Sequence, residues 1–298
     1  MKQSRLSRKE NVAGFLFISP WLIGFVFLFG GPLVASLFLS LVKWDMFTPP
    51  QWVGLGNFVR MLGDEYFWKS LRITAVYTAI NVPLSLFIGI TIAMLLNQRI
   101  PCLSVFRTMY YLPSVVSGVA VSMLWVWIYH PDYGYINYFL SLLGVKGPMW
   151  LQDPLWSLPA LIGVGLWPVG GTMIIYLAGL QGIPTQMYEA AEIDGANGRQ
   201  RFFRITLPML SPVIFYNIVV GVIKALQVFT EPKVMTEGGP NNSTLMYMLY
   251  LYRNAFKWFK MGYASALAWI LFLIILLCTV LLLRSATSWV YYEGESRR

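Results

Sequence analysis

Charge is scarce in this chain: Asp, Glu, Lys and Arg make up 12% of its residues, while 57% are hydrophobic and the mean hydropathy is +0.60. A soluble domain of 298 residues has nowhere to hide that much apolar surface, because much of any folded surface stays exposed. Acidic residues are the rarer sign, 13 against 22 basic ones. No basic stretch is interleaved with stacking aromatics in a soluble module, so nucleic acid is not a partner that the sequence supports. Histidine occurs once, as His130 beside the turn His130-Pro131-Asp132, and a lone imidazole cannot build a metal site. The two cysteines, Cys102 in a loop and Cys278 in the last apolar stretch, lie on different elements and offer neither a disulfide nor a metal-ligand pattern. There is no GxxxxGK(S/T) phosphate loop, so the chain does not bind ATP in that way. The absence of HExxH, paired His and GxSxG motifs argues against a membrane enzyme. No Asp or Glu lies clearly within an apolar stretch, Glu231 being at an end, and no inverted repeat is apparent. Both features weigh against an ion-coupled secondary transporter.

What the chain does have is long apolar runs. A spanning helix needs about 20 apolar residues, and six stretches qualify, near 12–42, 71–96, 108–129, 155–180, 209–230 and 264–283. The expectation is an all-α polytopic membrane protein with six transmembrane helices in a single domain, 1–298, since no loop is long enough to fold alone. Lys2, Arg5, Arg8 and Lys9 resemble the start of a signal peptide, but the apolar run from Val12 is too long for a signal core and no A-x-A-type site follows, so the first span is expected to be retained. With both termini cytoplasmic, twelve of the 22 basic residues fall inside (Lys2, Arg5, Arg8, Lys9, Arg99, Arg107, Arg199, Arg201, Arg204, Arg284, Arg297, Arg298) and eight outside, and Arg72 and Lys224 lie within spans. That bias has the sign of the positive-inside rule and accounts for the net charge of +9. Glycines Gly163, Gly165, Gly170 and Gly171 in the fourth stretch suit close helix packing, and Gly134 to Leu140 reads as a short helix on the outer surface.

Between the fourth and fifth stretches lies a charged island, Glu189-Ala190-Ala191-Glu192-Ile193-Asp194-Gly195-Ala196. Pro184 suits the first turn of a short helix over 185–193, where its missing N–H costs nothing. Met187, Ala190, Ala191 and Ile193 would form its apolar face, with small Ala190 and Ala191 allowing another backbone close. Asp194-Gly195 stops the helix, since Gly takes the left-handed conformation such stops use. A second helix near Ala196 runs through Phe202 to Ile205 before Pro208 re-enters the membrane. This arrangement presents a surface to a soluble partner in the cytoplasm, with Glu189 placed to pair with a basic group there.

The string Glu189-Ala190-Ala191, three residues, Gly195, nine residues, Ile205, then Leu207-Pro208 resembles the cytoplasmic "EAA" loop of permease subunits in binding-protein-dependent ABC importers. The resemblance runs from about Phe15 to Arg284 and implies the type I importer permease fold. It implies that the loop, 181–208, docks in a groove of an ATPase subunit, with coupling roles for Glu189, Ala190, Ala191, Asp194, Gly195, Ala196, Ile205, Leu207 and Pro208. The partners it implies are a second homologous permease, two cytoplasmic ATPases, an extracytoplasmic solute-binding protein and membrane lipid. ATP and Mg would sit on the ATPase and no cofactor on this chain, in the cytoplasmic membrane of a bacterium or archaeon. Phe17-Ile18-Ser19-Pro20, Gly134-Tyr135-Ile136-Asn137, Leu177 to Pro184, Thr236 to Pro240 and Gly262 to Ala266 resemble the carbohydrate (maltose/multi-sugar) branch. Importers of glycerol phosphate, amino acids or inorganic anions share the coupling loop and stand as the alternative.

The fifth stretch offers a substrate lining. Asn217, Gly221, Lys224 and Glu231 recur at spacings of 3, 4 and 7, on one helical stripe, with Gln227 nearby. Phe229, Trp167 and Tyr176 could supply the aromatic faces that sugars stack on. The same residues would equally serve as contacts to a second permease. Lys224 stands where the resembled branch more usually has a small neutral residue; its ammonium could meet an acidic sugar or phosphate, pair with an acid of the partner, or snorkel outward.

Overall fold

In the computed structural model, which describes residues 5–98 and 101–291, the apolar stretches are helical, as they must be where no water satisfies backbone N–H and C=O groups. The basic residues Lys2, Arg99, Arg297 and Arg298 of the orientation argument lie outside the described residues. In chain order the elements are α1 (Arg5–Phe25), α2 (Gly31–Ser40), β1 (Val42–Lys43), β2 (Gln51–Trp52), α3 (Gly56–Leu62), α4 (Glu65–Leu96), α5 (Leu103–Val115), α6 (Gly118–Ile128) and α7 (Tyr135–Leu142). There follow α8 (Ser157–Leu166), α9 (Gly170–Gln181), α10 (Thr185–Ile193), α11 (Gly198–Arg201), α12 (Leu207–Leu226), α13 (Tyr247–Tyr252) and α14 (Met261–Trp289).

Among the described residues four helices are long and apolar enough to cross a membrane: Glu10–Ser40, Glu65–Leu96, Gly198–Leu226 and Met261–Trp289. The expected third and fourth spans are not single straight helices. The third is α5 and α6, bent by 100° where Val116 and Ser117 are extended, three residues after Pro113. The fourth is α8 and α9, bent by 45° across Trp167-Pro168-Val169. Proline lacks the N–H and its ring collides with the carbonyl four residues back, so the helix breaks near it. The count is six if each bent pair is one span. Elsewhere proline widens the helix instead. In Gly31-Pro32 and Leu207-Pro208 the residue before proline donates its N–H five residues back, Gly31 to Val26 O and Leu207 to Phe202 O, closing a π-turn in each helix.

The described chain falls into two compact units, Met1–Asp64 with Leu251–Phe272, and Glu65–Tyr250 with Leu273–Arg298. The first departs from an all-α reading by a two-residue antiparallel ladder, Val42 opposite Trp52 and Lys43 opposite Gln51. Asp45 accepts the N–H groups of Phe47 and Thr48, and Pro49-Pro50 prevents helix, so this connection folds back as extended chain. Asn57 Nδ2 donates to the Ser40 and Val42 carbonyls at 2.8 and 2.9 Å, and Tyr263 Oη donates to Asp64 at 2.6 Å. Gly262 lies against the Val42 carbonyl so closely that a Cβ would overlap it. The window that makes Glu10–Ser40 a span has no residue buried within the chain; its Phe and Leu side chains are left for lipid.

In the second unit α4 packs on α8, α9 and α12. One cluster joins Tyr77, Val121, Tyr129, Leu161 and Val164; another joins Ala93, Met173, Tyr176, Leu180 and Leu210. Small residues set the approach, as the composition of the fourth stretch predicts: a Cβ on Gly165 would stand 2.7 Å from Asn81 Nδ2, and one on Gly179 2.8 Å from Leu210 Cδ1. Gly171 is different: a Cβ there would meet only Ser114 Cβ, in ordinary contact at 3.9 Å.

Candidate functional site

The charged island folds as expected over 185–193, but its cap is more exact than spacing could tell. Pro184 is extended and precedes the helix as its cap. At the far end Gly195, at φ +78°, donates to Glu192 O, and Ala196 N–H reaches back to Ala191 O at 2.8 Å, the paired bonds of a Schellman stop. Asn197 and Gln200 then form a reciprocal capping box that starts α11. Pro208 does not open a separate helix: Gly198–Leu226 is continuous through the π-turn at Phe202–Thr206.

Three side chains anchor this loop to its own unit. Ile183 is buried, Tyr188 and Ile205 pack on the Met173–Leu210 cluster, and Tyr188 Oη shares a 3.0 Å hydrogen bond with Thr206 Oγ1. An ion pair of 3.2 Å links Arg201 to Glu192 across the turn. The rest of α10 points away. Ile193 is 87% exposed, and Met187, Glu189, Ala190 and Asp194 are exposed while Ala191 is half-buried, so most of the expected apolar face is left open among the described residues. Glu189 has no ion-pair or hydrogen-bond partner among the described residues. The loop is a knuckle held from beneath by these contacts, with a largely uncovered acidic and apolar upper face. Leu207 and Pro208 lie in the helix below it and are half-buried.

A cavity of about 520 Å³ lies among α4, α5, α9 and α12. Asn217, Gly221, Lys224 and Glu231 line it, so the stripe drawn from spacing converges on one space. Glu231 reaches it by another route than helical register, because α12 ends at Leu226 and Glu231 stands beyond that end. Gln227 caps α12 and is exposed, and neither it nor Phe229 is in the lining. Trp167 stacks edge-on against Trp125 and Tyr176 is fully buried in the core, so neither supplies an aromatic face there. Those faces come instead from Tyr77, Tyr111 and Tyr216, with Asn81, Ser85, Ser114 and Thr172 adding amide and hydroxyl groups. Sequence reasoning missed Tyr77, Asn81, Ser85, Tyr111, Ser114 and Thr172 because they sit on three other helices, α4, α5 and α9, whereas Tyr216 is on α12 itself, next to Asn217. Their only signal was polarity within apolar runs. Asn217 Nδ2 returns a bond to Val213 O, while Lys224 has no ion pair with any described carboxylate. Among the described residues no group of His, Cys, Asp and Glu could hold a metal.

Known proteins bear on this geometry. The Bacillus subtilis protein named "Probable ABC transporter permease protein YesP" is 46% identical over 99% of this chain and 97% of its own. The lactose transport system permease protein LacF of Rhizobium radiobacter is 37% identical over 92% and 93%. A crystal structure of a bacterial ABC transporter that imports the acidic polysaccharide alginate superposes with TM-score 0.84 over 95% of this chain and 99% of that one, at 24% identity, which shows a common fold. The family model for the inner membrane component of binding-protein-dependent transport systems matches residues 85–289, which include the knuckle, α5, α9, α12 and the last part of α4. By that match and these relatives, the chain belongs to the family of ABC transporter permeases that form the inner membrane component of binding-protein-dependent transport systems.

Proposed function

We propose that this chain is one permease subunit of a carbohydrate importer, with both termini cytoplasmic, six spans forming one permease domain, and α10 as its coupling helix. A second homologous permease completes the pathway, two cytoplasmic ATPases bind ATP and Mg, and an extracytoplasmic binding protein delivers the solute. The observation that carries the reading is the knuckle: a helix braced by Ile183, Tyr188 and Ile205, with Glu189 and Ala190 left uncovered. A force on its upper face is passed to α9 and to Gly198–Leu226, the helices that frame the cavity, because the braces join both. Hydroxyl, amide and tyrosine groups in the cavity fit a polyhydroxylated solute, in line with the lactose permease among the relatives. The test is Glu189→Arg in the reconstituted complex. Uptake should fall at least tenfold with assembly of the permeases intact; undiminished uptake overturns the coupling role.

One observation favours a narrower substrate. Lys224 brings to the cavity wall a cation with no carboxylate partner among the described residues, which suits an acidic sugar. Lys224→Gln should then weaken uptake of a uronate-containing oligosaccharide far more than that of its neutral counterpart. Equal losses on both would refute it.

A further inference from the structure

The unit Met1–Asp64 with Leu251–Phe272 holds a cleft of its own, about 270 Å³ in volume. Lys43, Arg60 and Lys260 converge on it, together with Trp44, Trp258 and Phe259. All three cations are exposed, and none forms an ion pair with a described carboxylate. Two of them are held by aromatic faces, Arg60 over Tyr263 at 5.1 Å and Lys260 over Trp258 at 5.4 Å. The one carboxylate in the lining is already engaged: Asp45 Oδ1 accepts from Phe47 N–H at 3.1 Å and from both the N–H and Oγ1 of Thr48 at 2.8 Å. Those donors hold its carboxyl below the usual range and direct it into its own turn.

The cleft's place along the chain fixes its depth. Lys43 follows the end of the Glu10–Ser40 span by three residues, and Lys260 immediately precedes the Met261–Trp289 span. Its walls therefore stand where two helices leave the hydrocarbon, the level of lipid headgroups and of tryptophan belts. Single lysines at that depth spread along the surface and snorkel independently. Here three cations face one concavity with the only lining acid turned to its own backbone, an arrangement built for an anion of headgroup size.

We propose that this cleft binds the phosphate of an anionic phospholipid, of the phosphatidylglycerol type, through Lys43, Arg60 and Lys260, with the headgroup glycerol against Trp44 and Trp258. A bound lipid would bridge the ladder connection and the start of α14, cross-bracing the unit from the membrane side.

The purified transporter complex, placed in nanodiscs of phosphatidylcholine and phosphatidylglycerol and then extracted, is read by native mass spectrometry for lipid that stays bound. The wild type should retain phosphatidylglycerol over phosphatidylcholine. Lys43→Gln and Lys260→Gln should each lower that retention roughly fivefold, as loss of one cation at an anionic lipid surface entails. Both are exposed side chains whose removal leaves the fold's hydrogen bonds in place, and unchanged thermal unfolding verifies it. Lys146→Gln, outside the cleft, should change nothing. Equal losses in all three variants would mean diffuse surface attraction and overturn the site. Displacement of the lipid by inorganic phosphate at millimolar concentration would show a free-anion site instead, and weakened docking of the solute-binding protein with lipid retention unchanged would show a protein surface; either result overturns the proposal.

Discussion

Gly179 sits on α9 two residues before that helix ends, facing α12 just below the knuckle. Replacing it with alanine would put a Cβ 2.8 Å from Leu210 Cδ1 and 2.9 Å from Val213 Cγ2. Carbon atoms in contact rest at about 3.5–4.0 Å, so α9 and α12 must part locally by a little under an ångström or the buried Leu210 and half-buried Val213 side chains must leave their rotamers. Overpacking of this kind costs about 1–3 kcal/mol. Alanine also gains up to about 1 kcal/mol over glycine in a helix interior, which would mask part of the cost. Gly171→Ala, on the same helix, receives the same gain, yet its new Cβ meets nothing closer than Ser114 Cβ at 3.9 Å. The difference between the two variants isolates the steric term. With roughly 2–4 °C per kcal/mol for a chain of this class, Gly179→Ala should unfold several degrees below Gly171→Ala in the purified complex. Adding Val213→Ala to Gly179→Ala should return part of the loss, a non-additivity expected of side chains in contact. Equal stability of the two single variants would refute the close approach of α9 and α12.

Other outcomes follow from the same geometry. Tyr188→Phe keeps the ring packed but removes the bond to Thr206, at about 0.5–1.5 kcal/mol; it should lower solute imported per ATP hydrolysed in proteoliposomes, and Thr206→Val should do the same without further loss in the double variant. Asn197→Ala breaks the capping box and should cost about 1 kcal/mol, seen as faster proteolytic cutting at 194–198 with the spans intact. Gly262→Ala drives a Cβ into the Val42 carbonyl, a backbone atom that cannot move aside as a side chain does, so expression of folded protein should fall further than for Gly179→Ala.

How much of this was legible beforehand differs element by element. The helix over 185–193 and its stop at Asp194-Gly195 were readable because their determinants are local: a proline, small residues and a glycine free to take φ +78°. Pro208 misled, because a proline that breaks a helix and one that widens it into a π-turn look alike in sequence. The 100° bend after Pro113 was hidden by a run that stays apolar through Val115 and Val116. At the cavity, spacing found the residues of α12 and overlooked Tyr77, Tyr111 and Thr172 on other helices.

The sequence by itself determined that this is a membrane chain of apolar helices, with a helix–turn–helix knuckle and the permease family behind it. Those properties depend on hydrophobicity summed along the chain and on turn chemistry within a few residues. The tertiary structure alone decided which polar side chains share the cavity, that Tyr176 and Trp167 do not, that α10 turns Ile193 and Glu189 outward, and that Lys43, Arg60 and Lys260 meet in one cleft. Such convergence is set by helix packing at Gly165, Gly179 and Gly262 between residues far apart in the chain, and no local pattern encodes it.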